Sequence, residues 1–270
     1  DIEQKQVASR GAAGLVWSAR SPMKQRNPGL IERTSTVGDT LVGGAGHDVL
    51  ALYGSGNFRL DQLAGFSGFE EVQLNNASGV ASVYLRDGVD IVITATNSDY
   101  SIFYLGTGHE AINGGAGGED FRAYGPGDLT ESDLLDGGDG YDMLQLFFSD
   151  GTTFDLRSID ASNVETVAFS TENGALLVDQ AAIARFEDFS GPSTARLMTD
   201  ETSLSLVGKS LNSINVASTN ATGTVFTIDN VSLANRVVGG PGDDTLNAPT
   251  LTLSQAQRDT IFLSTSIEHI

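Results

Sequence analysis

The stretch that decides the fold is Asp133-Leu134-Leu135-Asp136-Gly137-Gly138-Asp139-Gly140-Tyr141-Asp142-Met143-Leu144. Two acids, Asp133 and Asp142, stand nine residues apart, and each is followed two places later by an apolar residue, Leu135 and Leu144. A glycine-rich turn lies between them. The same phase recurs three more times. Gly43-Gly44-Ala45-Gly46-His47-Asp48 leads to Leu50, with Asp39 nine residues before Asp48. Gly114-Gly115-Ala116-Gly117-Gly118-Glu119 leads to Phe121, with Glu110 nine residues before Glu119. Gly239-Gly240-Pro241-Gly242-Asp243-Asp244 leads to Leu246, with Asn235 nine residues before Asp244. Self-similarity at a fixed spacing is the signature of a repeat architecture, and an isolated Gly-Gly turn would carry no such upstream register.

The chemistry of such a loop is direct. Glycine reaches positive φ without steric penalty, so the turn can aim backbone carbonyls inward. The acid adds charge, and the apolar residue two places on faces the interior of a strand and anchors the turn. Several oxygens in flexible geometry are what calcium takes. The competing reading is a set of tight turns between strands with no ligand. On these residues the chain resembles the Gly-Gly-x-Gly-x-Asp-x-apolar-x nonapeptides of RTX (repeats-in-toxin) proteins. The resemblance implies an all-β chain folded as a parallel β-helix or β-roll-like solenoid, with Ca2+ held between loops of successive turns. It implies Asp39, Gly44, Gly46, Asp48, Gly115, Gly117, Asp120, Asp133, Gly138, Gly140, Asp142, Gly240, Gly242 and Asp244 as metal-site residues. It also implies type I secretion, folding on extracellular calcium and a place at the cell surface. Departures are visible: Glu110 and Glu119 replace aspartate, Asp120 is one place out of phase, Asn235 is neutral, and long insertions separate the pairs. The loops at Asp48, Asp142 and Asp244 follow the pattern best, and the loop at Glu119 least well.

A longer repeat surrounds the first. Phe69-Glu70-Glu71-Val72, Val164-Glu165-Thr166-Val167 and Ile267-Glu268-His269-Ile270 each follow a glycine loop, and their glutamates read as outward positions on alternating strands. Repeating units begin near residues 34, 128 and 230. Units that bury no face alone must stack. Residues 80–85, 89–93, 204–207, 214–216 and 225–228 are short β-branched runs bounded by turn residues, which predicts strands. Asn75, Asn76, Asn97, Asn113 and Asn220 are expected at left-handed turn positions. Helices are expected only over 179–186 and 254–262.

Charge divides the chain. Six basic against three acidic residues give residues 1–33 a charge of +3, which leaves −23 of the total −20 for residues 34–270. The first segment reads as a basic leader or linker, and Gly11 to Trp17 is too short and wrongly flanked for a signal-peptide core. Such an acidic chain repels phosphate backbones, so no nucleic-acid partner is expected, and no apolar run is long enough to insert in a membrane. With no cysteine, disulfide scaffolds and Cys-ligated zinc are excluded. There is no His-Glu-x-x-His motif and no Gly-x-Ser-x-Gly elbow, so an enzyme is not expected. The expected function is that of a calcium-stabilised extracellular structural protein. It would be a self-assembling surface-layer or adhesin segment (the sparse loops suit these more than toxins), able to hold a cell-surface glycan. The alternatives are a secreted carbohydrate-active enzyme on a parallel β-helix and a passive spacer domain of a giant RTX protein.

Overall fold

Among the described residues strands pair in parallel, and apolar residues one turn apart lie directly over one another. The computed structural model describes residues 16–20, 40–75, 79–96 and 98–270; Asp39, Asn76 and Asn97 lie outside them. The chain is an all-β parallel solenoid. Its residues group into two compact units, one of residues up to Ala123 with Gly127–Met143 and Asp160–Asn163, the other of Tyr124–Pro126, Leu144–Ile159 and Val164–Ile270.

In the first unit, Val49–Tyr53, Glu71–Asn75, Ile91–Ala95, Glu110–Asn113, Leu134–Asp136 and Asp160–Ser162 pair in that order. Their register stacks Leu50, Val72, Ile93, Ile112 and Leu135, all buried. Val16–Arg20, within the segment read as a leader, runs parallel beside Val49–Tyr53. A second sheet of this unit places Phe58, Val83, Phe103 and Phe121 in one buried column. Each side chain of these columns is worth about 1.5–3 kcal/mol of burial.

In the second unit, Phe154, Leu176, Leu197, Val216 and Val237 form the corresponding column of another parallel sheet. Val167, Phe189 and Leu211 stack on a second face, and Leu204, Phe226 and Leu246 on a third. The short runs at 80–85, 204–207 and 225–228 become Ala81–Tyr84, Ser203–Ser205 and Val225–Thr227.

Helices interrupt this unit three times. α1 (Gln180–Arg185) begins where the Asp179 carboxylate accepts the Ala182 amide, and α3 (Gln255–Thr265) begins with a capping box between Ser254 and Gln257. Ser and Asp satisfy the open amides of a first helical turn, so both helices start as the sequence predicts. α2 (Val231–Ala234) is a single turn capped by Asn230 and carries no sequence periodicity.

The asparagine expectation needs correcting. Asn75 and Asn113 end strands, and the left-handed non-glycine residues among those described are Asn163, Asn173, Ser213 and Ser266. Asn75 and Asn113 continue strands whose neighbours fix extended backbone. The left-handed residues instead sit where the chain turns between strands or leaves α3.

Candidate functional site

The four glycine loops meet different neighbours. The loop at 137–142 lies directly on the loop at 114–119: the Asp139 amide donates to the Gly115 carbonyl at 2.9 Å and the Gly114 amide to the Asp136 carbonyl at 2.7 Å. Gly140 has φ +130°, and a Cβ there would lie 2.1 Å from the Gly117 carbonyl oxygen, so only glycine fits. The loop at 43–48 stacks instead on residues 67–70, which hold no glycine-acid loop. The loop at 239–244 stacks on residues 218–224 on one side and 266–268 on the other. Gly240 and Gly242 pack against Ser218 and Gly223. Gly44 and Gly46 adopt positive φ beside Asp48. The structure therefore pairs the loop that departs most from the pattern with one that follows it best. The other two loops meet ordinary turns.

The acids share one geometry. Asp48, Glu110, Glu119, Asp133, Asp142 and Asp244 are at most 1% exposed. Each of several carboxylates accepts the backbone N–H at the matching position of the preceding turn. Asp133 Oδ1 accepts the Glu110 amide at 2.8 Å, Asp142 Oδ1 the Glu119 amide at 2.6 Å and Asp244 Oδ1 the Thr224 amide at 2.7 Å. Where the second oxygen is also engaged, it closes the acid's own loop: Asp133 Oδ2 accepts from Thr130 N at 2.6 Å and Asp244 Oδ2 from Gly240 N at 2.6 Å. A carboxylate here is a staple across a corner, satisfying amides that the sheet ladder leaves behind.

The glutamates of the longer repeat continue this chain of bonds. Glu70 Oε2 accepts the Asp48 amide at 2.8 Å, and Glu268 Oε2 accepts the Asp244 amide at 2.7 Å. Both residues are exposed but, against the expectation, neither lies in a strand: Glu70 precedes Glu71–Asn75 and Glu268 follows α3, and each carboxylate holds the loop acid of the turn before.

Stacking puts acids over acids at two corners of the same two turns: Glu110 beneath Asp133, and Glu119 beneath Asp142. Neither oxygen of Glu110 reaches good hydrogen-bond geometry. Loss of water, with the Asp133 carboxylate alongside, pushes the Glu110 carboxyl up to about 8 against the lowering pull of the Gly106 and Gly108 amides. Asp120 stands apart from the loop acids: its carboxylate takes Arg122 Nε at 2.8 Å and the Tyr100 hydroxyl at 3.1 Å. Burial and the Asp120 carboxylate push the Tyr100 phenol up to about 12.

Two features carry no sequence motif. On the outer face of the second sheet, Tyr84 and Tyr104 stack at 3.9 Å between centroids, with Arg59 over Tyr84 at 4.1 Å and Arg122 beside Tyr104 at 5.4 Å. These residues share one register column, Arg59–Tyr84–Tyr104–Arg122, and the spacing between them is not constant. The second feature is a set of cationic corners. Arg86 donates to the Leu63 carbonyl. Arg185 reaches the carbonyls of Leu156, Arg157 and Ile159. Lys209 reaches Phe186 O at 2.7 Å, and Arg236 reaches Ser213 O at 2.9 Å. Each spans about one turn, 23 to 29 residues back along the chain. Lys209 and Arg236 directly precede strands but Arg86 and Arg185 do not, so no common sequence signal marks them.

Among the described residues, no three His, Cys, Asp or Glu side chains converge. The donors at the stacked loops are carboxylate and carbonyl oxygens, the set a hard divalent cation takes. Each carboxylate has about four lone-pair sites, so an oxygen bonded to one amide keeps capacity for a cation. Calcium fits these donors, and Glu119, Asp142 and the carbonyls of their loops are the residues that would hold it. Comparison with protein families, with curated proteins and with solved structures finds no match for this chain.

Proposed function

We propose that this chain is a calcium-stabilised structural segment of an extracellular protein, one that assembles with its own copies at a cell surface as part of a surface layer or adhesin. The observation that carries this reading is the stack of the loop at 137–142 on the loop at 114–119, which sets the buried acids Glu119 and Asp142 one above the other. Two buried carboxylates at one corner repel each other and lack water, and a divalent cation relieves both costs. Bound to the native chain alone, calcium stabilises it by mass action. It also reduces a self-repulsion that comes from a formal charge of −20, which lowers the barrier to contact between copies.

The outer aromatic column supports a structural rather than a sugar-cleaving role. Tyr84 and Tyr104 cover each other, and guanidinium groups lie against their remaining sides, so neither ring offers a face to a pyranose.

The test is titration of calcium into chelator-treated protein, followed by circular dichroism, thermal melting and light scattering. Calcium raises the melting temperature first and particle mass second. No change in either up to about 10 mM, beyond weak extracellular sites, overturns the proposal. A rise in melting temperature without growth in mass leaves calcium and removes assembly.

A further inference from the structure

The strand Ser210–Asn212 ends its sheet. Its inner edge is spent on Asp188–Ser190: the Ser210 amide donates to Glu187 O at 3.0 Å, and the Gly191 amide donates to Asn212 O at 3.2 Å. In a parallel ladder the residue between two such positions turns its N–H and C=O to the other side. That residue is Leu211, whose backbone faces a groove rather than another strand. The groove has a volume of about 450 Å³ and runs between this strand and α2. Open strand edges take up further strands.

The groove's chemistry differs from that of the chain as a whole. Its lining is polar, with Asn212, Ser213, Asn230 and Ser232, and its charged groups are Lys209 and Arg236. No acid lines it, in a chain with 35 acidic and 15 basic residues. Asp229 stands beside the groove but outside its lining, its carboxylate accepting from Gly208 N at 2.9 Å and from Nδ2 of the lining Asn230 at 3.0 Å. Both cations are fixed in place by bonds to carbonyls of the preceding turn. Arg236 spends one of its five N–H donors on Ser213, so the rest of its fork is left for a ligand. A cation already held in place at the rim of a groove loses little entropy when it binds.

We propose that this groove binds an extended acidic polypeptide segment, which adds as a strand to the edge at Leu211 and places its carboxylates on Lys209 and Arg236. Backbone bonds to Leu211 supply the docking, and the two cations select acidic over neutral sequence. The strand Ser210–Asn212 spans ~10 Å, so about three residues of the segment pair with it and the flanking ones carry the carboxylates to Lys209 and Arg236. The site is independent of calcium.

The test uses a capped pentapeptide alternating glutamate and valine, its glutamine counterpart and a uronate oligosaccharide as probes on the full chain. Amide hydrogen exchange at Leu211 and fluorescence anisotropy are the readouts. The glutamate peptide protects the Leu211 amide and binds on the order of tenfold tighter than the glutamine peptide at low salt. Lys209 and Arg236 are corner staples, so their loss alone would confuse binding with stability. Ser232 is exposed on α2 and reaches no neighbouring turn; its hydroxyl donates to the Asn230 cap of its own helix at 2.5 Å. Ser232→Glu weakens the glutamate peptide several-fold and Ser232→Lys tightens it, whereas Ser232→Ala, which loses the same bond to the Asn230 cap, leaves the affinity unchanged. Equal affinity for the two peptides, indifference to charge at Ser232, protection away from Leu211, or binding of the uronate alone would each overturn the proposal.

Discussion

The two units close their corners with opposite charges. In the first, carboxylates reach the amides of the preceding turn, as Asp133 does for Glu110 and Asp142 for Glu119. In the second, Arg185, Lys209 and Arg236 reach carbonyls instead. The rule is not absolute, since Arg86 is a cationic corner in the first unit and Asp244 an acidic one in the second. The difference teaches that a solenoid corner is defined by whichever backbone group the ladder leaves open. Where an N–H is left, an acceptor closes it, and where a C=O is left, a donor does. The consequences diverge, because a carboxylate corner titrates and can take a metal, whereas a guanidinium corner stays charged throughout. On the proposed reading, sensitivity to calcium is therefore expected of the first unit and of the loop at Asp244.

The largest effect expected is at the stacked loops. Gly140→Ala forces a Cβ to 2.1 Å from the Gly117 carbonyl at positive φ and costs more than about 3 kcal/mol. Gly151→Ala, at φ +77° with open space around it, costs about 1 kcal/mol. Equal losses in chemical denaturation would mean that close stacking is not what fixes the loop glycines.

Next in size is the cationic corner. Arg185→Met strands three carbonyls and costs about 2–4 kcal/mol. The loss should be the same with calcium and with chelator, and a calcium-dependent loss would break the division between the two kinds of corner.

Asp142→Ala leaves the buried Glu119 amide open and costs about 1–3 kcal/mol. On the proposed reading it should also abolish more of the calcium-induced rise in melting temperature than Glu119→Ala does, because Asp142 would then serve both amide and metal. Calorimetric titration of both variants checks this, and equal losses would show the two acids to be equivalent.

The smallest effect is a pH dependence. Glu110 holds its proton in the folded state up to about 8 and releases it near 4.5 when unfolded. Between these values the folded chain binds the extra proton, so the contribution of Glu110 to stability is full below about 4.5 and is lost as pH rises through about 8. Chelated protein should melt higher at pH 6.5 than at pH 8.5, by on the order of a few degrees, and Glu110→Gln should flatten the difference. Asp99 and Asp155 act in the opposite sense. Bonds from the Tyr100 and Gly79 amides lower Asp99, and Arg157 lowers Asp155, so their contributions disappear only as pH falls below the ordinary aspartate range.

The sequence by itself determined the parallel solenoid, the inward columns and the starts of two helices. Each of these follows from local chemistry: Leu135 and Leu144 face inward because they stand two places past an acid at a turn, and Asp179 and Ser254 cap because their oxygens reach the open amides of the next turn. Only the tertiary structure decided which loop lies on which. Turns differ in length, with 18 residues between Phe103 and Phe121, 26 between Leu135 and Ala161 and 33 between Trp17 and Leu50, so equal phase in the sequence does not mean equal position in the stack. That is why the well-formed loop at Asp48 meets a plain turn at Glu70, while the imperfect loop at Glu119 meets Asp142. The cationic corners and the column of Arg59, Tyr84, Tyr104 and Arg122 escaped the sequence for the same reason. Their partners are one variable turn away, and a backbone carbonyl left open at a corner has no letter in the sequence to mark it.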